Sequence, residues 1–217
     1  MRMMRCFILF ALLAVILTGC GGMRGSGNVT TTAREVGAFT AVDVSGVGEI
    51  VITQGQTESL TVETDDNFQD VVLSEVRGDT LHLGMKPNAS MSNITKMILT
   101  VTARDLKRIT FSGAGMINVR ELNGDQLTVD QSGAGKITIA GTVQEQHVTL
   151  SGAGSYDGAA LVSNRATITL SGLGNAIVQA REQLDATISG AGSIEYIGNP
   201  QVNKQISGLG SVRQRTQ

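Results

Sequence analysis

The chain is poor in aromatic residues, cysteine and proline: its 217 residues include no Trp, two Tyr, five Phe, two Cys and two Pro. It has no excess of either charge, with 17 basic against 19 acidic residues. Nucleic-acid binding is excluded, because neither a basic field nor a set of stacking platforms is available. The only long apolar run is Cys6 to Leu17, twelve residues. A stable membrane-spanning helix needs about 20. No internal Pro/Gly/Ser linker or composition shift divides the chain, so one domain is expected.

The apolar run follows a start carrying Arg2 and Arg5 and ends in Leu17-Thr18-Gly19-Cys20. A basic start, a short apolar stretch and small residues at its end make residues 1–19 a secretory signal. The last four residues resemble the lipobox of bacterial lipoproteins, which implies cleavage before Cys20 and acylation of its thiol. The plain alternative is an ordinary signal peptide with Cys20 as a stray residue. Cysteine arithmetic favours the lipid, because Cys6 leaves with the signal and Cys20 is then the only thiol of an exported chain. Two or more acyl chains at Cys20 would hold the protein stably on a membrane. Residues 20–35, with Gly21-Gly22-Met23-Arg24-Gly25-Ser26-Gly27, read as the acylated cysteine and a flexible tether. Gly21 in place of Asp, by resemblance to enterobacterial lipoproteins, places the protein on the outer membrane. Loss of Arg2 and Arg5 leaves 15 basic against 19 acidic residues, a net charge of −4.

What the chain has in abundance is glycine, 27 residues, much of it in one repeated phrase. Ser-Gly-X-Gly begins at Ser112, Ser132, Ser151, Ser171, Ser189 and Ser207, with an earlier copy at Ser45. Successive serines from Ser112 stand 20, 19, 20, 18 and 18 residues apart. A short fixed period signals a solenoid. Around each copy apolar and polar residues alternate, as in Ile109 and Phe111, Ile117 and Val119, Val148 and Leu150, and Ile168 and Leu170. That is the period of strands with one buried face. Turns such as Asn123-Gly124-Asp125 separate the strands. The period is too short for a βαβ unit, which needs about thirty residues. One coil of a parallel β-helix fits instead.

One coil cannot fold alone. About four buried side chains contribute roughly 6–12 kcal/mol, whereas ordering nineteen backbones costs roughly 19–38 kcal/mol. Coil-to-coil hydrogen bonds and shared packing must supply the rest. Between Phe39 and Thr102 the repeat blurs, with strands expected at 41–44, 49–53, 59–63, 71–76, 80–85 and 97–101. Asp65 to Asp70 reads as one helical turn, and Lys86 to Asn93 as a protruding loop.

Phe39-Thr40-Ala41-Val42-Asp43-Val44-Ser45-Gly46-Val47-Gly48-Glu49-Ile50, then Gly78-Asp79-Thr80-Leu81, then the serial Ser-Gly-Ala-Gly copies, resemble the head GIN domain family. The resemblance covers about Val36 to Val212. It implies a right-handed, single-stranded parallel β-helix over residues 36–215, on a bacterial envelope. It supplies no catalytic residues and no cofactor.

The repeated phrase has two readings. In the structural one it is a corner, with Gly113 and Gly115 on the inward parity where a narrow bend excludes any Cβ, and the serines forming an outward hydroxyl ladder. In the functional one Ser112, Ser132, Ser151, Ser171, Ser189 and Ser207 form a stripe that binds an extended polymer. No metal site is expected: His82 and His147 lack ligand spacing, and no Asp follows the glycines as in calcium-binding β-rolls. The acidic Asp65-Asp66 with Asp70 reads as a solvated turn. The charges Asp130, Lys136, Asp157, Arg165, Arg181, Asp185 and Glu195 fall at different repeat phases, which argues against a polysaccharide lyase or hydrolase, the alternative for this architecture. The sequence therefore implies a non-catalytic lipid-anchored envelope protein that contacts a membrane through Cys20 and an envelope polysaccharide or surface protein through its head. The last coil, ending Val212-Arg213-Gln214-Arg215, leaves an open strand edge through which copies could self-associate.

Overall fold

In the computed structural model, residues 22–215 are described. The signal at 1–19 and Cys20 lie outside them. The strands are β1 (Met23–Arg24), β2 (Val29–Arg34), β3 (Ala41–Val44), β4 (Val47–Gln54), β5 (Ser59–Asp65), β6 (Val72–Arg77), β7 (Thr80–Met85), β8 (Met91–Ser92), β9 (Met97–Ala103), β10 (Arg108–Phe111), β11 (Ala114–Gln131), β12 (Ala134–Leu150), β13 (Ser155–Leu170), β14 (Leu173–Ile188), β15 (Ala191–Ile197), β16 (Gln201–Ile206) and β17 (Leu209–Gln214). Together they build a β-solenoid of about five turns. From β10 onward every pairing is parallel and joins one coil to the next.

Alternation decides which side chains fill the stack. In β13, Tyr156, Leu161, Ala166, Ile168 and Leu170 are buried while their neighbours face outward. Register then stacks like on like, as in Val129, Val148, Ile168 and Ala186. Each fully buried large aliphatic contributes about 1.5–3 kcal/mol. One polar chain crosses this core: the Tyr156 hydroxyl donates to Gln146 Oε1 at 3.0 Å, Gln146 Nε2 to Ser163 Oγ at 2.8 Å, and Ser163 Oγ to the Gln179 carbonyl at 2.8 Å. Burial pushes the Tyr156 phenol well above its ordinary range, with nearby Asp157 adding to the shift, so it stays a neutral donor.

Three expectations need correction. Asn123-Gly124-Asp125 is no break between strands, because β11 runs through it, and its ladder with β12 absorbs the bend by a register shift between Val119 and Leu122. The first half is not uniformly parallel: β6 and β7 form an antiparallel hairpin, and β5 lies antiparallel between β2 and β9. These strands put β6 at the edge of one wall and β2 at the edge of another, which caps the first coil. Finally, from Gly22 onward the glycine-rich segment is built onto this cap. β1 pairs with β8, β2 with β5, and the buried Asp65 carboxylate accepts from Gly27 N at 2.8 Å, Thr95 N at 2.9 Å and Thr95 Oγ1 at 2.7 Å. The helical turn expected after Asp65 is present as a 3-10 turn, Asp66–Phe68, with Phe68 buried.

Candidate functional site

The Ser-Gly-X-Gly phrases lie at one bend of each coil, and the register stacks them. The serines are exposed, and so, for the most part, is the next column, which runs Val47, Ala114, Ala134, Ala153, Leu173, Ala191 and Leu209. Leu173 is 66% and Leu209 86% exposed, so the stripe is an apolar ridge beside hydroxyls. Ser45, Ser112 and Ser151 reach the carbonyls of Leu83, Val44 and Gln131 on the neighbouring strand of the stack, at 3.4–3.5 Å. The backbone carries more of the corner: Ser132 N and Gly133 N share the Phe111 carbonyl, and Ser171 N and Gly172 N share that of Leu150.

The glycines follow from the same stacking. A Cβ on Gly133 would collide with the Gly113 carbonyl oxygen, one on Gly152 with that of Gly133, and one on Gly172 with that of Gly152. The obstruction lies along the stack rather than across a narrow corner. Any side chain there would push two coils apart.

A second feature opens on another side of the molecule. Two adjoining cavities, about 730 Å³ and 690 Å³, share Thr40, Asp79, Asp105 and Asn123. Gln54 ties the floor together: its Nε2 donates to the carbonyls of Arg104 and Asn123, both at 3.0 Å, and its Oε1 accepts from Asn123 N at 2.6 Å. Thr80 Oγ1 donates to Asp79 at 3.2 Å, and Lys107 pairs with Asp105 at 2.9 Å. That hydrogen bond, with the charge of Asp105 behind it, raises the Lys107 pKa. The groove thus presents carboxylates, amides, hydroxyls and cations side by side, which suits a hydroxyl-rich ligand. Sequence reasoning missed it because it is assembled from short stretches far apart in the chain, Gln54 and Asp79 from the blurred first half and Asn123 from a regular coil. The left-handed backbone of Glu121 (φ 58°), on the groove wall, leaves no mark in the sequence.

The charges suspected of an enzymatic role are partly stacked, contrary to expectation. Asp157 and Glu195 share one column, separated by Ile177. They are used in pairs between coils: Lys136 with Asp157 at 3.2 Å and Arg213 with Glu195. His82 Nδ1 lies 3.0 Å from Asp43 Oδ2. Among the described residues, no group of three or more His, Cys, Asp or Glu is placed to hold a metal ion.

The described residues thus form a capped β-solenoid with an exposed corner ridge and a polar side groove. The chain belongs to the family described as putative auto-transporter adhesin, head GIN domain, which matches residues 38–200. A crystal structure of a putative adhesin from Bacteroides fragilis NCTC 9343 is similar at 26% identity and a TM-score of 0.75, covering 89% of this chain and all of that one. A putative adhesin from Parabacteroides merdae ATCC 43184 is similar in fold at 21% identity and a TM-score of 0.57, covering 90% of this chain and 99% of that one. A putative lipid binding protein from Parabacteroides distasonis ATCC 8503 is similar in fold at 22% identity and a TM-score of 0.52, covering 90% of this chain and all of that one. Comparison with curated proteins gives no match. The family and its solved relatives carry the names of adhesin-like binding proteins rather than enzymes.

Proposed function

We propose that this protein is a non-catalytic binding head, anchored to the bacterial envelope by lipid on Cys20 and seated on the outer membrane, that holds an envelope polysaccharide in its polar groove. The observation that carries the binding site is the continuous groove through Thr40, Asp79, Asp105 and Asn123. Its mixed donors and acceptors match a hydroxyl-rich chain, whereas the serine corner is an exposed bend flanked by an apolar ridge. The support for the anchor is Leu17-Thr18-Gly19-Cys20 behind a short apolar run.

The test is calorimetry of the purified mature protein against isolated envelope polysaccharides. Binding that is lost in Asn123→Ala and Asp79→Asn but kept in Ser151→Ala supports the groove. Loss in Ser151→Ala alone would move the site to the serine stripe. Failure to bind any envelope polysaccharide, with unchanged adhesion of a deletion strain, would refute the reading, and release of oligosaccharides would replace it with an enzyme.

A further inference from the structure

The chain is stitched to the solenoid cap to within two residues of Cys20. Met23 N donates to the Ser90 carbonyl at 2.7 Å and Gly25 N to that of Ser92 at 2.9 Å. Asn67 Nδ2 holds the Arg24 carbonyl at 2.7 Å, and Asp65 holds Gly27 N. A seven-residue free tether would let the head wander about 15 Å, and no face would be preferred. The two residues that precede Gly22 span at most about 7 Å. Whatever Cys20 is fixed to must therefore lie against the surface beside Gly22.

That surface is a shallow depression of about 640 Å³ formed by Met23, Val71, Lys86, Pro87, Ala89 and Ser90. Met23 is 42% exposed, and Lys86 is the charged residue of the rim. The loop is held in shape by Lys86 N on the Val71 carbonyl at 2.9 Å and by Ala89 N on the Lys86 carbonyl at 3.1 Å. Small apolar groups that enter the headgroup layer, with a lysine whose stem lies along them and whose ammonium reaches water or phosphate, are the make-up of an interfacial contact.

From this we infer that the cap face centred on the loop Lys86–Ser90 rests on the bilayer holding the acylated Cys20, and that the last coil, β16 and β17, points away from it. The inference rests on the anchored reading above. β6 and β16 are eight strand spacings apart along one wall, about 38 Å. The groove and the apolar corner ridge would then be carried upright, clear of the membrane.

The experiment uses the full lipidated protein in phosphatidylethanolamine–phosphatidylglycerol vesicles containing a doxyl-labelled phosphatidylcholine. Acylation occupies the Cys20 thiol, so one introduced cysteine takes an environment-sensitive fluorophore. Labels at Ala89→Cys and, as a second site on the same loop, Pro87→Cys should be quenched several-fold more than one at Gln205→Cys. Equal quenching at both ends, or none at the loop, in protein that mass spectrometry shows to be acylated and that floats with vesicles, would overturn the orientation alone. Protein that is not acylated and does not float would refute the anchor and the orientation with it.

Discussion

The carbonyl oxygen of Gly174 lies where a Cβ on Gly192 would have to go. The approach falls below the 3.0 Å that real Cβ contacts essentially never breach, and the obstructing atom is backbone. Gly192→Ala therefore has to part β14 from β15, and it should cost about 2–3 kcal/mol. In a domain of this size that lowers Tm by roughly 5–10 °C. Gly124 is the control, because nothing lies within 4 Å of a Cβ built there. Gly124→Ala should be neutral or gain up to about 1 kcal/mol through the unfolded chain. Equal melting of the two variants would show that the glycine columns do not set coil spacing.

Gln131 occupies a core column otherwise made of Val44, Phe111, Leu150, Leu170 and Ile188. Its Nε2 donates to the Gly135 carbonyl at 2.8 Å, but its Oε1 is buried with no partner among the described residues. An orphaned buried acceptor costs about 1–3 kcal/mol, more than one neutral hydrogen bond returns. Gln131→Leu should thus stabilise the protein by about 1 kcal/mol and raise Tm by about 2–4 °C. A lower Tm would mean that the bond to Gly135 outweighs the orphan.

Much of the fold was legible in the sequence, and the reason is periodicity. The strands at 41–44 and 80–85 coincide with β3 and β7, because alternation marks one buried face. The serine spacing varies between 18 and 20, yet the corner stays in register, because shifts such as that between Thr138 and Ala140 absorb the difference. Alternation carries no sign of strand direction, so the antiparallel β6 and β7 looked like further coils. Glycine-rich composition suggested a free tether at Gly22–Gly27, whereas the partner that pins it, Asp65, stands 38 residues from Gly27. The groove was illegible for a related reason: Gln54 and Asn123 meet across 69 residues, one in the blurred first half and the other in a regular coil.

Asp65 makes the cap sensitive to acid. Burial pushes its pKa up, but the Thr95 hydroxyl and the Thr95 and Gly27 amides outweigh that and leave it below its usual value. A carboxylate depressed on folding stabilises above its unfolded pKa of about 3.9, and that contribution is lost as pH falls through the folded value. Hydrogen-exchange protection at Met23, Gly25 and Gly27, taken relative to the intrinsic rate at each pH, should hold from neutral pH down to about 4 and fall below it. At neutral pH, Asp65→Asn should hasten tryptic cleavage after Arg24, because an amide cannot accept from all three donors. Cleavage at the parent rate would show that the β1–β8 pairing suffices without the carboxylate.

The open end is guarded from within. Ile206, 44% exposed, and the partly buried Val202 and Val212 continue core columns into a coil with nothing stacked on its outer side among the described residues. Such an edge invites another copy to add strands. Yet Lys204 occupies the register position that Ile109, Val129, Val148, Ile168 and Ala186 fill below it. A second copy stacked on β16 would bury that ammonium against aliphatic side chains, at a cost of several kcal/mol. The parent should therefore stay monomeric, and Lys204→Leu should self-associate as concentration rises, read by sedimentation velocity. Lys204→Gln separates charge from shape: a neutral polar group in that column should associate less than leucine and more than lysine. If Lys204→Leu remains monomeric at every concentration, the guard lies elsewhere in the last coil, and the charge in the core column is incidental.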